Sequence, residues 1–233
     1  MHRTHRIAPM LLLAAAAVAL SAPLAAQSKP GNLQAVISQM NAASAKFTSA
    51  QASFHKDLYT ALVKDHDLQE GITYAVRKNG SSEVGIKITG KGARTVEYKN
   101  GTARDYNPGT NCYDSYSAAK SKGTIESLLA LSFGASGKEL AANWTVTDLG
   151  TDTIMTDGRP VKVEKLDLVP KEQGLRNNIT HVQLWTDLAT AISHKQIVYA
   201  PTGDTQTATY SLIRLNSKDV DKGPFKIEGK PCK

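Results

Sequence analysis

The spacing of apolar residues between Leu33 and Phe47 predicts an α-helix. Apolar residues recur there every three or four positions, which places them along one side of a helix. They are Leu33, Val36, Ile37, Met40, Ala43 and Phe47. From Thr48 onward the period becomes two, so we expect the chain to change from helix to sheet at this point.

Alternation of apolar and polar residues predicts a series of strands after Thr48. The first has Ala50, Ala52, Phe54 and Leu58 on one side. Two further runs flank Asn79-Gly80, a dipeptide that favours a tight hairpin, and another run follows Gly92. We expect the apolar residues of these runs to form one wall of an antiparallel sheet. They are Phe54, Ile72, Tyr74, Val76, Val84, Ile86, Ile88, Val96 and Tyr98.

A short helix and further strands are predicted in the second half of the chain. The helix begins near Thr124, carries Leu128 and Leu129 on its apolar side, and ends at Gly134, because glycine readily adopts the left-handed conformation that ends helices. A helical piece over 138–142 follows. We expect strands over 144–149, 161–168, 179–185, 194–200 and 205–215. Strands and helices do not alternate, so the order predicts an α+β fold with a curved antiparallel sheet capped by helices.

The first residues have the features of a secretory signal peptide. Arg3 and Arg6 precede an apolar run over 10–20, and small residues follow it up to Ala26. The run is shorter than the roughly 20 residues that a membrane-spanning helix needs. We therefore expect cleavage near Ala26 and export to the periplasm. Residues 27–233 are expected to form a single soluble domain, without a lipid anchor because no cysteine directly follows the apolar run.

Charge and cysteine content add two expectations. The net charge is +7, and the residues after the predicted cleavage site carry +5 of it. This modest excess fits either a solvated surface or contact with anionic lipid. The chain has two cysteines, Cys112 and Cys232. In an oxidising compartment an even number of cysteines predicts a disulfide, although two free thiols are the alternative.

Sequence signatures of common active sites are absent. The chain has no Gly-x-Ser-x-Gly, His-Glu-x-x-His or Cys-x-x-Cys motif and no phosphate loop. The densest polar cluster is Asp65-His66-Asp67, which we expect to form a turn before Leu68 rather than a metal site, because adjacent strand residues point to opposite faces. We therefore expect no enzyme activity, no cofactor and no metal. A secreted hydrolase is the least favoured reading.

Several segments resemble the LolA-like outer-membrane lipoprotein-sorting proteins. The stretches 182–187, 199–204 and 210–216 look like that family's closing strands, and 225–227 look like its end. Asn100-Gly101 and the later 106–108 resemble its Asp-Gly and Tyr-x-Pro elements. Arg104 departs from the family, which commonly has an aromatic residue there. The order of these segments, rather than any one of them, carries the resemblance.

The resemblance implies a half-open antiparallel β-barrel covered by helices, with an apolar cavity between them. The apolar wall described above would line this cavity, and Leu128 and Leu129 would line its lid, with Gly134 and Gly137 as hinges. The alternation of apolar and polar residues, taken alone, would equally fit an ordinary hydrophobic core without a cavity. The implied function is that of a periplasmic carrier, which binds acyl chains of lipoproteins or lipids for transport toward the outer membrane.

The same resemblance implies the partners and leaves one rival function. A carrier would contact membrane-bound donor and acceptor proteins transiently, and we expect a monomer that binds no nucleic acid. Related half-barrels act instead as envelope-stress sensors, which bind a membrane-protein partner. We expect a second domain in a sensor, and the residues after the predicted cleavage site offer room for one domain, which favours the carrier.

Overall fold

The computed structural model describes residues 32–78, 81–117, 131–220, 227 and 229–232. The predicted signal peptide, the Asn79-Gly80 turn, and Leu128 and Leu129 of the predicted middle helix lie outside these ranges. Of the helices within them, none has both the length and the apolar character needed to cross a membrane.

In the described ranges the strands form one twelve-stranded sheet with the order β12-β6-β5-β4-β3-β2-β1-β11-β10-β9-β8-β7. Neighbouring strands are antiparallel except β12, which pairs with β6 in parallel. The edge strands β7 and β12 do not pair with each other, so the sheet is open. The strands are β1 (Ser49–Thr60), β2 (Asp65–Lys78), β3 (Ser81–Thr89), β4 (Arg94–Lys99), β5 (Thr102–Asn107), β6 (Cys112–Ser117), β7 (Trp144–Thr156), β8 (Arg159–Pro170), β9 (His181–Asp187), β10 (Ile192–Tyr199), β11 (Thr205–Leu215) and β12 (Lys230–Pro231).

The described helices are α1 (Leu33–Ser44), α2 (Gly137–Asn143) and α3 (Gln173–Arg176). The side chain of Asn32 caps α1 by accepting hydrogen bonds from two backbone N–H groups of its first turn. Ser136 and Glu139 form a reciprocal capping box at the start of α2. The first helix was predicted to reach Phe47, but it ends three residues earlier, and Phe47 instead packs into the core.

The main core lies on one side of the sheet, which we call the inner face. One cluster packs α1 and α2 against β7, β8 and β9, through residues such as Met40, Leu140 and Leu184. A second cluster joins β1, β2, β3 and β11, through residues such as Phe54, Val84 and Ala208. The opposite side, the outer face, carries the small cluster of Tyr74, Val76 and Val220.

The strand register corrects the predicted apolar wall. Residues directly opposite each other on antiparallel strands share a face. Each pair between β2 and β3 joins an even-numbered residue to an odd-numbered one, such as Tyr74 to Gly85. The even-numbered apolar residues of the two strands therefore lie on opposite faces. Phe54, Val84, Ile86, Ile88, Val96 and Tyr98 are on the inner face, whereas Ile72, Tyr74 and Val76 are on the outer face.

The Asp65-His66-Asp67 cluster also differs from its prediction. These residues begin β2, and the turn lies before them at 61–64. His66 faces the outer side, where its Nδ1 lies 2.8 Å from a carboxylate oxygen of Asp57. Among the described residues, no group of three His, Cys, Asp or Glu side chains is arranged to bind a metal.

Candidate functional site

A cavity of about 120 Å³ lies between the inner face of the sheet and the short segment 131–134. Backbone hydrogen bonds join the segment to the start of β10, from Ser193 to Ser132 at 2.9 Å, and to the residue just before it, from Gly134 to Ala191 at 2.8 Å. The cavity is lined by Phe54, Lys56, Thr73, Val84, Ile86, Ser132, Phe133, Gln196, Ala208 and Tyr210. Residues from four distant parts of the chain thus meet around one hollow.

Most of the cavity wall is apolar. Phe54 lies over Gly71 on the neighbouring strand, where a Cβ atom would come within 3.0 Å of the Phe54 ring. Glycine at this position therefore leaves room for the ring. Phe133 covers the cavity from the other side and meets the Tyr210 ring edge-on, with 5.2 Å between ring centroids. An apolar chain placed here would contact aromatic rings from both sides.

One side of the cavity is polar but uncharged. The Ser132 hydroxyl lies 2.9 Å from the Tyr210 hydroxyl and donates to Oε1 of Gln196 at 3.1 Å. Burial raises the pKa of Tyr210 to about 12, although its hydrogen bond with Ser132 acts in the opposite direction. The phenol is therefore protonated at neutral pH. The two hydroxyls and the Gln196 amide oxygen thus form a small hydrogen-bond network on this side of the cavity.

Lys56 brings a positive charge to the cavity wall. Its backbone lies opposite Ala208, and its Nζ is 5.9 Å from the centroid of the Phe54 ring. Burial, followed by the positive charge of Arg94, lowers the pKa of Lys56. Among the described residues, no carboxylate lies within ion-pair distance of Lys56.

Arg77 fixes the segment that closes the cavity. Its Nη2 donates to the carbonyl oxygen of Gly134 at 2.7 Å, and its Nη1 donates to that of Ser44 at 2.8 Å. The guanidinium also lies 5.4 Å from the centroid of the Phe47 ring. One side chain of β2 thereby holds together the end of α1 and the end of segment 131–134.

Gly134 and Gly137, which were predicted to be hinges, lie at points of close packing. Gly134 has a φ of +76°, and a Cβ atom there would come within 2.5 Å of the Phe47 ring. A Cβ atom at Gly137 would come within 2.6 Å of the backbone of Ile37. Both positions need glycine so that neighbouring elements can approach closely.

A pair of buried acids lies on the inner face near a bulge of β7. Asp148 and Glu164 are each less than a tenth exposed, at 8% and 8%. Asp148 accepts a hydrogen bond from the Gly150 backbone, and Glu164 accepts one from the Thr151 hydroxyl. Burial first, and the neighbouring Asp148 second, raise the pKa of Glu164. Neither residue lines the cavity.

The structure distributes the predicted cavity residues over several places. Phe54, Val84 and Ile86 line the cavity. Ile88, Val96 and Tyr98 share the inner face without lining it, while Ile72, Tyr74 and Val76 are on the outer face. Leu128 and Leu129 are outside the described residues. The sequence analysis missed polar residues that line the cavity, namely Lys56, Ser132, Gln196 and Tyr210. Lys56 could have been found, because it lies two residues after Phe54 on a predicted strand and therefore on the same face.

The predicted disulfide is confirmed. Cys112 and Cys232 are bonded, with their Cα atoms 5.0 Å apart. The bond lies where β12 pairs with β6, so it fastens the end of the chain to the edge of the sheet.

Comparisons with known proteins show a likeness of fold. No protein-family model matches the chain, and no curated protein matches its sequence. Among solved structures, MucB is 13% identical with a TM-score of 0.52, over 87% of this chain and 66% of MucB. An uncharacterized conserved protein from Thermus thermophilus is 10% identical with a TM-score of 0.52, over 85% of this chain and 97% of that protein.

A putative outer membrane lipoprotein-sorting protein domain from Vibrio parahaemolyticus also matches. It is 12% identical with a TM-score of 0.44, over 82% of this chain and 98% of the domain. The two structures with a TM-score of 0.52, MucB and the Thermus thermophilus protein, share the fold of this chain.

Proposed function

We propose that the protein is a periplasmic carrier that binds an acyl chain of a lipid or lipoprotein in the cavity beneath segment 131–134. In this proposal the signal peptide is removed near Ala26, and residues 27–233 act as a single monomeric domain. The observation that carries the proposal is the cavity itself, an unfilled hollow between Phe54 and Phe133 on the inner face of an open sheet. Most protein interiors are packed without such voids.

The energetics of acyl-chain burial suit this cavity. Each methylene moved out of water contributes about 0.8 kcal/mol, so partial burial of one chain provides several kcal/mol without directional contacts. The hollow of about 120 Å³ is smaller than the roughly 300–1,000 Å³ of typical ligand pockets. We therefore propose that a bound chain enlarges the hollow by displacing Phe133. Because Phe133 lies outside the named strands and meets Ile192 in an isolated bridge, a rotation of its side chain would leave the strands paired.

The arrangement of the helices supports a half-open barrel. Helices α1 and α2 pack over the inner face of β7, β8 and β9. Segment 131–134, rather than a described helix, lies over the cavity beside β1, β3 and β11. We propose that the helices cover one part of the half-barrel and that the cavity occupies the other. Binding and release suffice for this role, which requires no reacting group, cofactor or nucleic acid.

Native mass spectrometry tests the proposal directly. Protein purified from the periplasm is expected to retain an added mass that matches a lipid or an acylated peptide. After delipidation, it is expected to take up a fatty acid added in excess. A protein that is bare when purified and that ignores added fatty acid would overturn the proposal.

Two neighbouring substitutions locate the binding to the cavity. Ala208→Leu adds a side chain to the cavity wall, whereas Thr209→Leu adds one to the exposed outer face of the same strand. We expect A208L to lose fatty-acid uptake while remaining folded and T209L to keep it. Equal uptake by the two variants would place the acyl chain elsewhere.

A second candidate function is an envelope-stress sensor, and the likeness to MucB favours it. MucB forms a complex with MucA in Pseudomonas aeruginosa. A sensor would use the same cavity but would bind a specific membrane protein and release it when lipid binds. Affinity purification of the tagged protein from membranes distinguishes the two functions. A carrier would recover acylated proteins or lipids. A sensor would recover one membrane regulator, and added lipid would displace that regulator.

A further inference from the structure

We infer that Lys56 binds the anionic headgroup of the amphiphile whose acyl chain occupies the cavity. This inference rests on the proposed function and narrows its ligand class. The ligand would be a single-chain acyl or alkyl compound that ends in a carboxylate or a phosphate. An amide-linked acyl chain, which has no charge at that end, would bind without this contact.

The position of Lys56 carries the first step. Along β1 the inner-face residues pass from buried Phe54 to half-buried Lys56. Along β11 the transition is from buried Ala208, directly opposite Lys56, to exposed Gln206. Lys56 therefore lies where the cavity meets solvent. A chain inserted between Phe54 and Phe133 would have its headgroup at this point.

The absence of an ion-pair partner for Lys56 among the described residues carries the second step. Its neighbours across the sheet on the inner face are uncharged, namely Gln69 on β2 and Ala208 on β11. The carboxylates of Asp57 and Glu70 lie on the outer face, where they contact His66 and His55.

Two inner-face carboxylates are also engaged by other groups. Asp67 accepts a hydrogen bond from Gln69 at 3.1 Å, and Asp105 forms an ion pair with Arg94 at 3.3 Å. Among the described residues, the Lys56 ammonium is thus a partly buried cation without a counter-ion. A partly buried, unpaired charge is stabilised when an external group of opposite sign binds to it.

Arg94 reinforces the positive potential at the same mouth. It lies opposite Ile88, in the row of inner-face residues that also contains Gly71 and Phe54. Its charge is one cause of the lowered pKa of Lys56, so the two cations act on each other. An anion at Lys56 would relieve this repulsion. Because Asp105 already pairs with Arg94, we assign the direct contact to Lys56 alone.

Three ligands of equal chain length test the inference: dodecanoate, dodecyl phosphate and dodecanol. Binding is measured by calorimetric titration of the delipidated full chain. We expect at least one of the two anions to bind about tenfold more tightly than dodecanol. The tighter of the two anions identifies the headgroup as carboxylate or phosphate. Equal affinities for the three ligands would overturn the inference but leave the proposed carrier intact. Failure of all three to bind would overturn the carrier itself.

Matched variants then assign the preference to one residue. Lys56→Met keeps the alkyl stem, so we expect it to bind dodecanol as the wild type does and to bind the anions no better than dodecanol. Lys56→Arg is expected to retain the preference for the anions. Lys87→Met removes a positive charge from the exposed outer face and should change nothing. A preference that survives in K56M, or disappears equally in K87M, would contradict the assignment.

Discussion

Arg77 donates a hydrogen bond from Nη2 to the carbonyl oxygen of Gly134, at 2.7 Å, and so ties the cavity's covering segment to strand β2. The Ser44 hydroxyl donates to the same carbonyl oxygen, also at 2.7 Å. Arg77 shares the inner face of β2 with Ala75. The contact therefore makes a charged side chain part of the structure around the cavity.

Removal of the Arg77 guanidinium is expected to destabilise the protein. Arg77→Met leaves the carbonyl groups of Ser44 and Gly134 without this donor, so we expect a loss of about 2–3 kcal/mol in the free energy of unfolding. Urea denaturation measures the loss. Lys78→Met, at an exposed position next along the strand, is the matched control. Equal losses in R77M and K78M would contradict the structural role of Arg77.

The sequence predicts the parts of the fold that depend on local pattern. The apolar stripe of α1 follows from apolar residues spaced every three to four positions. The inner-face position of Phe54 follows from apolar residues at every second position. Strands β5 and β6 were not predicted, because their residues, such as Asp105 and Ser115, give no clear alternation of apolar and polar positions. The antiparallel sheet was predicted from the order of the elements, and its open form from the resemblance to the LolA-like proteins.

The sequence does not predict which residues meet across the sheet. The outer-face position of Tyr74 depends on the register in which β2 pairs with β1 and β3, and a shift by one residue would reverse it. The contact of Ser132 with Gln196 joins residues 64 positions apart. Asp148 becomes buried where a bulge shifts the register of β7. These features arise from pairing and curvature, which a local pattern does not encode.

The buried acid pair is expected to make stability depend on pH. Because the pKa of Glu164 is raised in the folded protein, its contribution to stability is complete below the ordinary value of 4.5 and is lost as pH rises through the folded pKa. Glu164→Gln removes this titration. We expect the E164Q variant to gain stability relative to the wild type as pH rises from that value to neutrality.

Urea unfolding at a series of pH values measures the effect of Glu164. Gln206→Asn, at an exposed position, is the control and should leave the pH dependence of the unfolding free energy unchanged, because neither side chain titrates. A wild type and an E164Q variant with parallel pH profiles would show that the acid pair does not titrate in this range.

The disulfide is expected to contribute a large part of the stability. Cys112 and Cys232 are 120 residues apart, and closing a loop of that length in the unfolded chain corresponds to about 4–5 kcal/mol in the chain-entropy model. Cys112→Ser, Cys232→Ser and the double variant should all lose the same free energy of unfolding, because each breaks the same bond. A double variant that loses the sum of the two single losses would contradict this account.

Gly71 is expected to be essential for the shape of the cavity. A Cβ atom there would collide with the backbone carbonyl of Lys87 and come within 3.0 Å of the Phe54 ring. Gly71→Ala must therefore move β3 or the Phe54 ring, at a cost of about 1–3 kcal/mol, and fatty-acid affinity should fall with it. Gly174→Ala, whose Cβ would meet only ordinary contacts in α3, is the control. If G71A matched G174A in both unfolding free energy and fatty-acid affinity, the cavity would not depend on the position of Phe54 over Gly71, and its inner wall would have to be placed elsewhere on the sheet.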